Sequence, residues 1–150
     1  MAPQTLNFAR SGCAVIGFAL VVGLSLTGCD HRAAPMARSV PVALSAAPDA
    51  KTLEAAIEVS LAHRHWTIKE HQPGRYLVEL TEKGHSATVA VLYDATSARI
   101  DYVDSQGLLY EKGSDGEVIH RSYNTWVKNL ANDIKINLSQ AQLSAASAPK

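Results

Sequence analysis

Cysteine is nearly missing from this 150-residue chain: Cys13 and Cys29 are the only two. Everything beyond residue 29 therefore lacks a disulfide and a thiolate metal ligand, so its core must hold by packing alone. An excess of one charge is missing too, with 14 Lys and Arg against 14 Asp and Glu. No basic patch points to nucleic acid, and no acidic run points to a polycationic partner. The chain has no Gly-x-Ser-x-Gly elbow, no His-x-x-x-His pair and no Cys-rich metal spacing. No cofactor is expected on these grounds. No apolar run reaches the roughly 20 residues that a helix needs to cross a bilayer.

What is present starts with a targeting layout. A polar opening with one cation, Arg10, leads into an apolar run from Ala14 to Leu24, as in a secretory signal. The run closes on Leu26-Thr27-Gly28-Cys29, which resembles the lipobox of bacterial lipoproteins. That resemblance implies removal of residues 1–28 and a mature chain beginning at Cys29, with diacylated sulfur and an acylated amino group. The membrane is then a partner through Cys29, since two or more acyl chains at ~0.8 kcal/mol per buried methylene hold stably. An ordinary signal peptide with a cysteine after its small residues is the competing reading. Asp30 resembles the residue that retains enteric lipoproteins in the inner membrane. The expected location is the cell envelope, lipid-anchored and facing the periplasm, with the inner membrane favoured over the outer.

Residues 29–50 are rich in Ala, Ser, Arg and Pro, with Pro35, Pro41 and Pro48 interrupting any helix, and read as a flexible tether. At ~5–6 Å times the square root of its length, the tether's mean reach is about 25 Å. A single domain is expected over 51–138, followed by a disordered tail over 139–150. Leu53, Ala56, Ile57, Ser60 and Leu61 recur at helical spacing, with Asp49 or Thr52 as cap and an end near His63. Period-two segments follow at Trp66 and Ile68, Tyr76 to Leu80, Ala87 to Tyr93, and Ile100 to Tyr102, with turns at Pro73-Gly74 and Lys83-Gly84. They predict a four-stranded antiparallel meander whose apolar face carries Trp66, Ile68, Tyr76, Val78, Leu80, Val89, Val91, Ile100 and Tyr102. Leu108-Leu109-Tyr110 reads as an ordered loop, a fifth strand near 106–113 being the alternative.

Ser114-Asp115-Gly116-Glu117 has capping-box spacing. After it, Ile119, Tyr123, Trp126, Leu130 and Ile134 recur at steps of three and four, predicting a long helix that ends near Leu138 with Trp126 at its centre. Truncating a buried tryptophan to alanine costs ~3–5 kcal/mol, so Trp126→Ala is expected to unfold the domain. The fold class is thus α+β: an N-terminal helix and a long C-terminal helix packed on one face of the meander.

Tyr102-Val103-Asp104-Ser105, together with the run from Ile119 to Leu130 that contains Tyr123-Asn124-Thr125-Trp126, is similar to a family of small bacterial lipoproteins of unassigned function. In these a Tyr-Asn-x-Trp helix follows a small sheet. The resemblance implies an envelope lipoprotein and supplies no activity, cofactor or ligand.

Three constellations could carry chemistry. His63, His65, His85 and Asp104 fall on one rim of the meander, and His120 joins them if the preceding loop returns locally; scattered surface histidines are the plain alternative to a metal site. Ser105 or Ser122 with His120 and Asp104 supplies the inventory of a hydrolytic triad. Tyr102, Tyr110, His120, Tyr123 and Asn124 combine area with hydrogen bonding and suit a binding surface; their structural alternative is to lock the loop onto the helix. The reading that results is a non-enzymatic binding or scaffolding module, with a possible envelope protein as partner. The alternative is a small envelope enzyme or metal-handling protein that uses the His63/His65/His85/His120 rim.

Overall fold

The computed structural model describes residues 32–44 and 47–147. Cys29, the lipobox and residues 148–150 lie outside these. Ten elements follow in chain order: β1 (Ala33–Pro35), β2 (Ser39–Val42), α1 (Ala50–His63), β3 (Thr67–Gln72), β4 (Arg75–Glu82), β5 (His85–Tyr93), β6 (Ala98–Gln106), β7 (Glu111–Gly113), β8 (Gly116–His120) and α2 (Arg121–Ser147). The class is α+β, with two helices and two antiparallel sheets. One sheet has five strands in the order β2-β6-β5-β4-β3, and the other has three in the order β1-β8-β7.

The expected four-stranded meander is corrected to this pair of sheets. β3 to β6 do run side by side in chain order, but β2 adds a fifth strand against β6, with Val40 opposite Ile100. Its source is the segment read as tether. Prolines there signalled irregular chain, yet Pro35 and Pro41 stand in outer strands of their sheets, where a missing N–H is tolerated. Among the described residues the fold thus includes Ala33–Pro35 and Ser39–Val42, ahead of residue 51.

Helix α1 forms as its spacing requires. Asp49 caps it, accepting from the Thr52 amide at 2.9 Å, and Leu53, Ile57 and Leu61 are buried. Its end is a Schellman closure: the Trp66 amide donates to the Leu61 carbonyl at 2.9 Å and the His65 amide to Ala62 at 3.1 Å. His65 takes the left-handed conformation, with φ 59°, at the position where glycine is usual. That turn throws Trp66 back onto the core, where it is buried.

The hairpins obey their turn residues. Lys83 and Gly84 both have positive φ, 51° and 80°, joining β4 to β5 through a two-residue turn that matches strand twist. On the inner face of the large sheet Tyr76, Val78, Val89, Val91 and Ile100 are wholly buried under the helices. Ile68, expected there, is 43% exposed because β3 is an edge strand. Tyr102 is half-buried.

The capping-box reading of Ser114 to Glu117 is also corrected. Those residues close the β7–β8 hairpin, Gly113 pairing with Gly116, and the helix starts only at Arg121. Val118 and Ile119 are strand residues because β1 supplies their partners, Pro35 and Ala34. Leu108 to Tyr110 lies between strands as an ordered loop, with Glu111–Gly113 forming a short strand after it. At its other end α2 continues to Ser147 instead of stopping near Leu138, so much of the expected tail is helix.

Two adjacent stripes run along α2. Tyr123, Val127, Leu130, Ile134 and Leu138 are buried and form its core stripe. Trp126 lies one step to the side, half-buried and packed against the core's margin. Its expected place at the centre of the core is corrected by that geometry. Leu130→Ala is expected to lower unfolding free energy by about 2–5 kcal/mol, and Trp126→Ala by clearly less, with the domain still folded; urea titration of both variants measures the order.

The crossover from β1 to β2 is held by one side chain. Asn124 accepts from the Ala37 amide and donates through Nδ2 to the Pro35 carbonyl, both at 2.8 Å. Arg38 adds a two-pronged bond to Glu117 at 2.7 and 2.8 Å. Replacing Asn124 by Ala orphans an amide and a carbonyl, for an expected loss of about 1–3 kcal/mol; its thermal unfolding, compared with the parent, tests this.

Candidate functional site

The end of α1, the β4–β5 turn and the first turns of α2 meet at one edge of the molecule. They enclose a groove of about 650 Å³ lined by His63, Arg64, His65, Trp66, Leu80, Thr81, Glu82, Thr125, Trp126 and Asn129. A second hollow of about 250 Å³ is lined by Glu82, Lys83, His85, His120, Ser122 and Trp126. The hollows share Glu82 and Trp126, so they adjoin as two arms of one depression. Ser122, Thr125, Trp126 and Asn129 are the second stripe of α2, at steps of three and one.

Four of the six histidines thus arrive on one depression, as the rim reading anticipated. Asp104 does not line either hollow. Among the described residues, no three His, Cys, Asp or Glu side chains gather closely enough to hold a metal ion.

Local bonds fix the histidines. His85 donates Nδ1–H to the Gly107 carbonyl at 2.7 Å; a carbonyl only accepts, so that proton is on Nδ1 and the neutral ring's Nε2 is a lone-pair acceptor. Gly107 permits the approach: a Cβ there would stand 3.0 Å from both His85 Nδ1 and the Gly84 carbonyl oxygen. His120 has the opposite tautomer. Its Nδ1 accepts from the Ser122 amide at 3.2 Å, capping α2, which leaves Nε2–H as a donor when the ring is neutral. The two rings stack with centroids 5.6 Å apart and planes 20° from parallel.

Charges around the groove are matched. Arg64 holds Asp133 through Nε at 2.6 Å and Nη2 at 3.1 Å, and His63 Nδ1 lies 3.1 Å from the same carboxylate. The Arg64 hydrogen bond outweighs burial and holds the Asp133 carboxyl below its usual range. Lys83 stands 3.6 Å from Glu82. The indole nitrogen of Trp66 is buried and has no hydrogen-bond partner among the described residues.

The five residues of the expected binding surface divide. Tyr102 stacks on Tyr110 at 5.3 Å and meets Tyr123 edge-on at 5.5 Å. Tyr110 donates to Glu117 at 3.0 Å, Tyr123 is wholly buried, and burial raises its hydroxyl pKa. With Asn124 on the crossover, Tyr102, Tyr110 and Asn124 are hydrogen-bonded within the chain, while the buried Tyr123 hydroxyl has no partner among the described residues. Only His120 reaches the groove. The triad inventory stays apart: Ser105 Oγ pairs with the Tyr102 hydroxyl at 3.0 Å, and Ser122 meets His120 through its backbone amide. Arg64, Glu82 and Asn129 were not singled out from sequence; only Asn129, three residues after Trp126 on a helix, carried a signal that could have marked it.

No family model, curated protein or solved structure matches the chain.

Asp133→Asn is expected to lower the melting temperature by about 2–6 °C at pH 7. A carboxylate whose folded pKa is depressed stabilises above its usual value and loses that contribution as pH falls through the folded value. The gap between parent and variant should therefore close as pH falls below the usual carboxylate range, as thermal melts across pH would record.

Proposed function

We propose that this protein is a lipid-anchored envelope module that binds its target in the groove between Trp66 and Trp126, without catalysing a reaction. The observation that carries the reading is the groove's lining: indole, hydroxyl, carboxamide and imidazole groups in a concave site. That mixture of apolar walls and a few oriented polar groups is what recognition sites present. Ser105 Oγ is paired with the Tyr102 hydroxyl, and Ser122 meets His120 through its backbone amide, which supports binding over hydrolysis.

The lipobox at Leu26 to Cys29 supports the anchor and the periplasmic face. With Cys29 lipidated, two residues, Asp30 and His31, separate it from Arg32, a span of at most about 11 Å at the extended-chain limit. The domain is then held against the bilayer instead of swinging on a long tether. Ala33 pairs with His120, so the anchor enters beside the smaller arm of the groove, and local concentration at the membrane helps a weak contact persist.

Two readouts on intact cells test this. The mature protein should begin at residue 29 with fatty-acid mass on it, and a photo-crosslinker in place of Thr125 should capture an envelope component that one in place of Val103, on exposed β6, does not. An unlipidated chain that retains residues 1–28, or equal capture at both positions, contradicts the reading.

A further inference from the structure

Resting on that reading of the groove, we propose that its ligand is a neutral polyhydroxylated chain, a glycan segment, laid across Trp126 with one hydroxyl shared by His85 and His120. Three observations converge on this class. The first is charge: Arg64 is matched by Asp133, and Lys83 by Glu82. A groove whose ions are already paired has no net field to select an anionic or cationic ligand.

The second is the histidine pair. The Gly107 carbonyl leaves His85 with an accepting Nε2, and the Ser122 amide leaves His120 with a donating Nε2–H. A hydroxyl is the group that satisfies both, because it donates one hydrogen bond while accepting another. A carboxylate would meet the His85 lone pair without a proton to give. A metal ion would need lone pairs on both rings, and His120 offers an N–H there.

The third is shape. Trp126 lines both arms, of about 650 and 250 Å³, so a ligand filling both is elongated and meets this indole in each. The C–H face of a sugar ring packs on an aromatic plane while its rim of hydroxyls is left for Thr125, Asn129 and Glu82. Trp66 adds a second aromatic side chain to the wall of the larger arm.

The chain has two tryptophans and both line the groove, so intrinsic emission reports on this site alone. Full-length protein in detergent should be titrated with the tetrasaccharide of β-1,4-linked N-acetylglucosamine and, separately, with maltotetraose. A saturable change in tryptophan emission with either sugar is expected, and Trp126→Ala and Asn129→Ala should each weaken it at least about tenfold. His85→Ala should weaken it as well. If any variant unfolds by circular dichroism, the remaining ones carry the comparison. No saturable change with either sugar up to about 10 mM, or unaltered affinity in the folded variants, overturns the assignment. Cellular capture of a protein at Thr125 without a sugar response keeps the groove as a binding site and overturns the glycan; absence of capture at Thr125 removes the site itself.

Discussion

The carboxamide of Asn124 is the contact on which the architecture turns. Its two hydrogen bonds fix the bend between Pro35 and Ala37, and that bend lets one short segment serve both sheets. β1 closes the small sheet against β8, and β2 closes the large one against β6. With β8 held, His120 lies at the start of α2 and caps it, which sets the rotation of the helix. The rotation decides that Tyr123, Val127 and Leu130 face the core and that Trp126 stands beside it. The groove is a consequence of that placement.

Polar handles seat the other helix. Glu54 and Glu58, one turn apart on α1, accept from the hydroxyls of Tyr93 and Tyr76 at 2.8 and 2.9 Å, while Ser60 bonds Asn137 of α2 at 2.8 Å. Burial and the neighbouring carboxylate push the Tyr93 hydroxyl up to about 12. These bonds let Tyr76 and Tyr93 enter a core that lacks disulfides with their oxygens satisfied, whereas the buried Tyr123 hydroxyl has no hydrogen-bond partner among the described residues. Arg64 at the end of α1 and Asp133 midway along α2 join the two helices in the same way, and Arg64 also lines the groove, so that its wall and the packing of α1 on α2 share residues.

Much of this was legible in the residues because local and tertiary preferences agree. Asp49 followed by the Leu53 stripe makes α1, and Lys83-Gly84 makes a hairpin in any setting that supplies two strands. The failures share one cause: their partners are distant in sequence. Residues 33–42 are strands because β6 and β8 pair with them some 60 to 90 residues later, and without those partners a Pro- and Ala-rich stretch looks like free chain. Ser114 to Glu117 satisfies a capping pattern and a hairpin turn alike, and β1 decides between them. Trp126 was assigned to the core because steps of three and four connect it to Tyr123 and Leu130. Two neighbouring stripes on one helix give the same spacing, and only the angle at which α2 docks separates them. The histidine rim was readable from strand topology, whereas the tautomers that give it chemical character depend on Gly107 and on the position of the helix start.

The placement of β8 and of the start of α2, and with them the groove, depends on the crossover being part of the fold and not loose chain. Amide hydrogen exchange at Met36 and Ala37 in the full-length protein measures this directly, since those N–H groups donate to the Glu117 carbonyl and to Asn124. Protection close to that of the central strand β5 is the predicted result. Exchange at the rate of unstructured peptide, with β5 still protected, would contradict it.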